Sequence, residues 1–193
     1  MENSFNMMIV NRALSISSCL MMMMMMFNLA VAVPQPTMLN PAIQAICDAT
    51  DYPALCQSSI IPYLDGHTDP ASVLIMHILA GIHTTKEAIQ IAKHALPSAT
   101  HYDAQRYEVC LDTYDSAMDS WKSAIRSTKA GKGFEVANDL SAVASMISSC
   151  DDAFTDDDPT VPNQSPLGQI DQLLLHMDSN CLAIRLEAFP DSN

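Results

Sequence analysis

Residues 110–150 read CLDTYDSAMDSWKSAIRSTKAGKGFEVANDLSAVASMISSC. Tyr114, Met118, Trp121 and Ile125 recur at steps of three and four, and so do Val136, Leu140, Val143 and Ile147. Such spacing lays apolar side chains along one face of a helix. Gly131 and Gly133 separate the two runs and open a turn. The stretch therefore folds as two antiparallel helices. Residues equidistant from the turn lie level in such a pair. Cys110 and Cys150 stand about 20 residues to either side of Gly131, so their Cα atoms can approach the ~5.5 Å that a disulfide needs. Closing that span constrains the unfolded chain by roughly 4 kcal/mol on the loop-entropy account.

The same periodicity extends in both directions. Upstream, Asp69-Pro70 supplies an N-cap and a proline at the first helical position. The stripe Ile75, Ile78, Ile82, Thr85, Ile89, Ala92 and Leu96 follows until Pro97 stops it. The next helix runs from about Asp103 to Lys129, with Tyr107 and Leu111 opening its stripe, and the third from about Phe134 to Cys150. A fourth runs from near Gln169 to Phe189 on Ile170, Leu174, Met177, Cys181, Ile184 and Ala188. No segment alternates apolar and polar residues cleanly, so the fold class is all-α, an up-and-down four-helix bundle. Asp151 to Gly168 is rich in Asp and Pro and is expected to be a non-helical loop. Ahead of the bundle, Cys47 and Cys56 enclose the turn signal Asp51-Tyr52-Pro53 and suit a small local hairpin. Cys181 lies on an inward stripe and reads as a buried free thiol, a small hydrophobe.

The N-terminus has the pattern of a secretory signal peptide: Arg12, the apolar run Ala13 to Leu29, then the small-x-small site Ala30-Val31-Ala32, with Pro34 and Pro36 beyond it. Most of the 14 methionines fall in or beside this segment. The expected organisation is residues 1–32 as signal peptide, 33–66 as extension and disulfide-linked hairpin, and 67–193 as bundle. In an oxidising compartment the five cysteines after the signal give two bridges and one leftover thiol. Asn163-Gln164-Ser165 is a glycosylation candidate, weakened by Pro166. The net charge of -13 argues against nucleic acid and anionic membrane as partners. His77, His83, His94 and His101 lack ligand spacing and read as surface or helix-edge residues, so no metal is expected. The run Asp156-Asp157-Asp158 lacks the alternation of a calcium loop. No nucleophile elbow, phosphate loop or dinucleotide fingerprint occurs, so the chain is read as a binder and not an enzyme, without a cofactor.

Three ordered motifs carry a resemblance. The segments CDATDYPALC at 47–56, CLDTYDSAMD at 110–119, and NDLSA at 138–142 leading to CDDAF at 150–154 are similar to those of the plant invertase/pectin methylesterase inhibitor family, the last stretch resembling its invertase-inhibitor-like and pollen-protein branch more than typical esterase inhibitors. The resemblance covers essentially the whole chain after the signal. It implies a four-helix bundle preceded by a short helical hairpin, bridged Cys47–Cys56 and Cys110–Cys150. It also implies a secreted protein of the apoplast or cell wall, with the vacuole as alternative compartment, and no stable membrane association after signal cleavage. Its partner would be a protein, pectin methylesterase, whose active-site cleft it covers. The alternatives are acid invertase (beta-fructofuranosidase) and a non-inhibitory extracellular binding role on the same fold. Invertase inhibitors of the family use a Pro-Lys-Phe segment between the second and third bundle helices; here Lys132, Gly133 and Phe134 stand there, without the proline. The expected target contacts are the exposed residues of the helix pair: Asp112, Asp115, Asp119, Lys122, Lys132, Phe134, Glu135 and Asn138.

Overall fold

Proline and side-chain caps set where the helices begin. The computed structural model describes residues 39–155 and 165–190. Six α-helices appear there: α1 (Pro41–Asp48), α2 (Pro53–Ile60), α3 (Pro70–Ala95), α4 (His101–Lys129), α5 (Gly133–Ala153) and α6 (Gly168–Ala188). Asn40, Asp69 and Thr100 cap α1, α3 and α4, each side-chain oxygen accepting a backbone N–H of the first turn. Among the described residues there is no strand, and no helix is long and apolar enough to cross a membrane. The signal segment, the acidic run at 156–158 and Asn163 lie outside the described residues.

Helices α3 to α6 form a closed square. α3 packs on α4, α4 on α5, α5 on α6, and α6 back on α3. Each helix runs opposite to its neighbours, as short connections require. Of the expected inward positions, Ile78, Thr85, Ile89, Ala92, Tyr107, Tyr114, Met118, Trp121, Val136, Leu140, Val143, Ile147, Leu174, Met177, Cys181 and Ile184 are buried, whereas Ile75, Ile82, Leu96, Leu111, Ile125, Ile170 and Ala188 are half-buried at the edges of the stripes. The helix α5 continues three residues past Cys150, and Phe154 at its end is buried edge-on against Tyr107, with ring centroids 5.2 Å apart. The segment after Cys150 is thus helical at first, because Phe154 anchors one more turn.

Trp121 fixes how α3 meets α4. Its indole N–H donates to Thr85 Oγ1 at 3.1 Å, and Thr85 donates to the Gly81 carbonyl at 2.8 Å. A Cβ on Gly81 would stand 2.8 Å from the indole, so glycine is what lets the ring lie against the α3 backbone. The hairpin α1–α2, closed by the Cys47–Cys56 bridge, docks on α6. Tyr52 N–H donates to Asn180 Oδ1 at 2.9 Å, and Asn180 Nδ2 donates to the Tyr52 carbonyl at 3.0 Å. The Tyr52 ring stacks on His176 at 3.8 Å.

One expectation fails. His77 is fully buried, not at the surface or helix edge. Packing of α2 over α3 covers it, and its Nδ1 pairs with Ser59 Oγ at 2.9 Å.

Three buried titratable groups tie stability to pH. Burial raises Asp178 to about 8 and Asp171 to about 7, from an ordinary value of 3.8. Burial lowers His77 to about 4, from 6.5. Of these three, only the aspartates titrate between pH 6.5 and 8 in the folded state. There the native protein holds more protons than the unfolded chain, so stability falls as pH rises. Between pH 4 and 6.5, His77 acts oppositely and offsets one aspartate. The expected result is a Tm that drops by on the order of 5 °C from pH 6.5 to 8, and a drop about a third as large in Asp178→Asn, because Asp178 holds its proton over most of that interval. A Tm that rises over that interval in calorimetry would contradict the assignment.

Candidate functional site

The α4–α5 pair is built as a rigid hairpin. α4 closes on a glycine turn in which Lys132 N–H donates to the Ser127 carbonyl and Gly131 N–H to the Thr128 carbonyl, both at 3.0 Å. Gly131 takes φ +69°, the left-handed conformation this cap needs. Beside the turn, Ser127 Oγ donates to Asp139 Oδ2 at 2.8 Å. From α6, Arg185 Nε donates to the Gly133 carbonyl at 2.9 Å, which pins the start of α5. At the far end, Cys110 and Cys150 are bridged with Cα atoms 4.4 Å apart. Next to that bridge the Tyr114 hydroxyl donates to Asp171 Oδ1 at 2.5 Å and lies 3.2 Å from the Cys150 sulfur. Desolvation first, and then this hydrogen bond, push the Tyr114 hydroxyl well above its ordinary range.

All eight residues expected to touch a target are exposed, but the structure gathers them into two groups. Asp112, Asp115, Asp119 and Lys122 lie along α4. Of these, Asp115, Asp119 and Lys122 border a groove of about 470 Å³ against α3, with Lys86, Gln90 and Lys93 opposite and Ile89 and Met118 beneath. Lys122 pairs with Asp119 at 3.0 Å. The second group, Lys132, Phe134, Glu135 and Asn138, sits at the turn and the first turns of α5. Lys132 pairs with Glu135 at 3.7 Å, and Phe134 is 63% exposed despite its size. A phenyl ring left in water at a fixed turn has no packing role of its own.

Sequence reasoning missed the polar side chains of α6. Asp171, Asp178, Asn180 and Arg185 are buried beside the apolar stripe. A signal was present: Asp171, Asp178 and Arg185 are spaced by seven, so they share one line on the helix. Cys181 is buried and unbridged, and desolvation pushes its thiol well above the ordinary value, so it is held as a neutral, unreactive group. Among the described residues no cluster of three or more His, Cys, Asp or Glu could hold a metal ion.

Such a molecule is a disulfide-braced helical bundle that offers fixed outer surfaces. The chain belongs to the plant invertase/pectin methylesterase inhibitor family, whose model matches residues 41–184. Two solved structures share the fold. A mutant form of a pectin methylesterase inhibitor from Arabidopsis is 15% identical, with 76% of this chain and 96% of that one covered and a TM-score of 0.60. A pectin methylesterase inhibitor from Arabidopsis thaliana is 16% identical, with 77% and 96% covered and a TM-score of 0.54. No curated protein sequence matches the chain.

The hairpin's bridge can be tested directly. Its two cysteines are 40 residues apart. Replacing both, as Cys110→Ser with Cys150→Ser, is expected to cost about 2–4 kcal/mol in urea denaturation. A double variant as stable as the parent would show that Tyr114, Asp171 and the core hold the helix pair without the covalent link.

Proposed function

We propose that this protein is a secreted inhibitor of a cell-wall carbohydrate-active enzyme, with pectin methylesterase as its target, and that it acts by covering the active-site cleft. Membership of the inhibitor family supports the general role. The observation that carries the choice of target is the state of the turn. Where an invertase-directed inhibitor would offer a free Pro-Lys-Phe segment, Gly133 is buried with its carbonyl held by Arg185, and Lys132 is paired to Glu135. That turn is drawn into a helix start, which favours contact by helix faces over insertion of a loop. Rigid faces reduce the ordering cost of association. The residues that would meet the enzyme are Asp112, Asp115, Asp119 and Lys122 on α4 and Lys132, Phe134, Glu135 and Asn138 at the turn. Export by residues 1–32 would deliver the protein to the apoplast, and the organisation into a hairpin at 33–66 and a bundle at 67–193 belongs to the same reading.

One observation favours a second target. Phe134 remains exposed beside Lys132, the pairing that the invertase inhibitors of the family use. Titrating the purified secreted form against a plant pectin methylesterase and an acid invertase between pH 4.5 and 7 separates the cases. The expected result is stoichiometric loss of esterase activity, little changed by Lys132→Ala with Phe134→Ala. Inhibition of invertase alone, abolished by that double substitution, would move the assignment to the second target. Inhibition of neither enzyme would remove the inhibitor reading.

A further inference from the structure

The exposed side of α4 carries an ordered series of charges. Glu108, Asp112, Asp115, Asp119, Lys122, Arg126 and Lys129 recur at steps of four and three, and all seven are exposed. That spacing keeps them on one line of the helix. The first four are acidic and the last three basic. The α3–α4 groove lies at the middle of the line. Its own charges largely cancel, because Asp115, Asp119 and Lys122 on α4 face Lys86 and Lys93 on α3 across it. What remains is a pair of poles: Glu108 and Asp112 on one side of the groove, Arg126 and Lys129 on the other. Among the described residues none of these four enters an ion pair. At 1.5 Å per residue the pole centres stand about 26 Å apart along the axis. That is roughly three Debye lengths at physiological salt, so a partner meets two separate poles and not an average.

We infer that the α3–α4 groove with its flanking poles is a directional docking rail for a ridge of the target enzyme, one bearing a cationic patch and an anionic patch about 26 Å apart. The inference rests on the inhibitor reading and adds an orientation to it. The correct approach sets each pole against its opposite charge. The reversed approach sets like charges together, which is the means by which charge patterns exclude wrong registers. The groove between the poles supplies the apolar floor, Ile89 and Met118, that charge alone lacks. The commonest fate of an exposed charged line is solvation, and Arg126 and Lys129 in the last turn also suit the helix dipole; an acidic pole beyond the first turn and a groove between the poles are what set this line apart.

The decisive comparison uses the basic pole. A strongly acidic inhibitor drawn to a basic enzyme by net charge would associate faster once Arg126 and Lys129 are neutralised. A directional rail would associate more slowly. Two double variants, Glu108→Gln/Asp112→Asn and Arg126→Gln/Lys129→Gln, are compared with the parent in stopped-flow inhibition of the enzyme that the parent inhibits, at 20 and 150 mM salt. Both are expected to lower the association rate about tenfold at low salt, and less at high salt. Circular dichroism melting confirms that each variant is folded. A basic-pole variant that associates as fast as the parent, or faster, overturns the rail and leaves the inhibitor reading standing. A change in sedimentation of the free protein, with inhibition unaltered, also overturns it, since the line would then serve a second copy of this chain. A parent that inhibits neither esterase nor invertase removes the inhibitor reading and the rail with it.

Discussion

The hydroxyl of Tyr114 is the point on which three helices depend. It belongs to α4, donates to Asp171 of α6, and lies against the Cys150 sulfur of α5. The bridge and the hydrogen bond act on different states of the chain. Cys110–Cys150 restricts the unfolded ensemble, whereas the tyrosine–aspartate contact exists only once α6 has closed the square. A buried carboxyl without that partner would be costly to keep in the interior. Tyr114 therefore makes the covalently linked pair selective for one way of adding the fourth helix.

The helix α6 buries more charged side chains than its neighbours, Asp171, Asp178 and Arg185. It meets α3, α5 and the hairpin α1–α2, so a single apolar stripe leaves part of its buried perimeter unaccounted for. Asn180 uses both ends of its amide on the Tyr52 backbone, and Arg185 reaches the Gly133 carbonyl. Both side chains hold a backbone group at a helix start, and Asn180 also gives the Tyr52 N–H at the cap of α2 an acceptor. Asn180 and Arg185 thus fasten α6 to the starts of α2 and α5.

The helices were legible in the sequence because apolar spacing reports burial directly. Even Thr85 was correctly placed inward, although its reason, an oxygen for the Trp121 indole, is a contact between helices and leaves no mark on local pattern. His77 was misplaced for the same kind of cause. The α2 helix that covers it is a separate, short element, so periodicity within α3 does not report that cover. The eight surface residues were identified as exposed, which the helix period predicts well. Their division into a groove edge and a turn cluster was not legible, because it depends on which neighbour each flank of α4 faces.

That division also explains how a bundle can carry a spatial code. A helix is a ruler with a fixed rise, but it keeps its spacing only if both ends are held. Glu108 and Asp112 flank Cys110, the residue bridged to α5. Arg126 and Lys129 flank Ser127, whose hydroxyl is bound to Asp139 and whose carbonyl closes the glycine turn. Each pole thus sits beside one of the two clamps on α4, where fraying is least able to blur it. Charges at the same separation on a loop would sample many distances, and their pattern would average out over the time of an encounter. The interior devices that stabilise the hairpin are therefore the ones that fix the spacing presented outside.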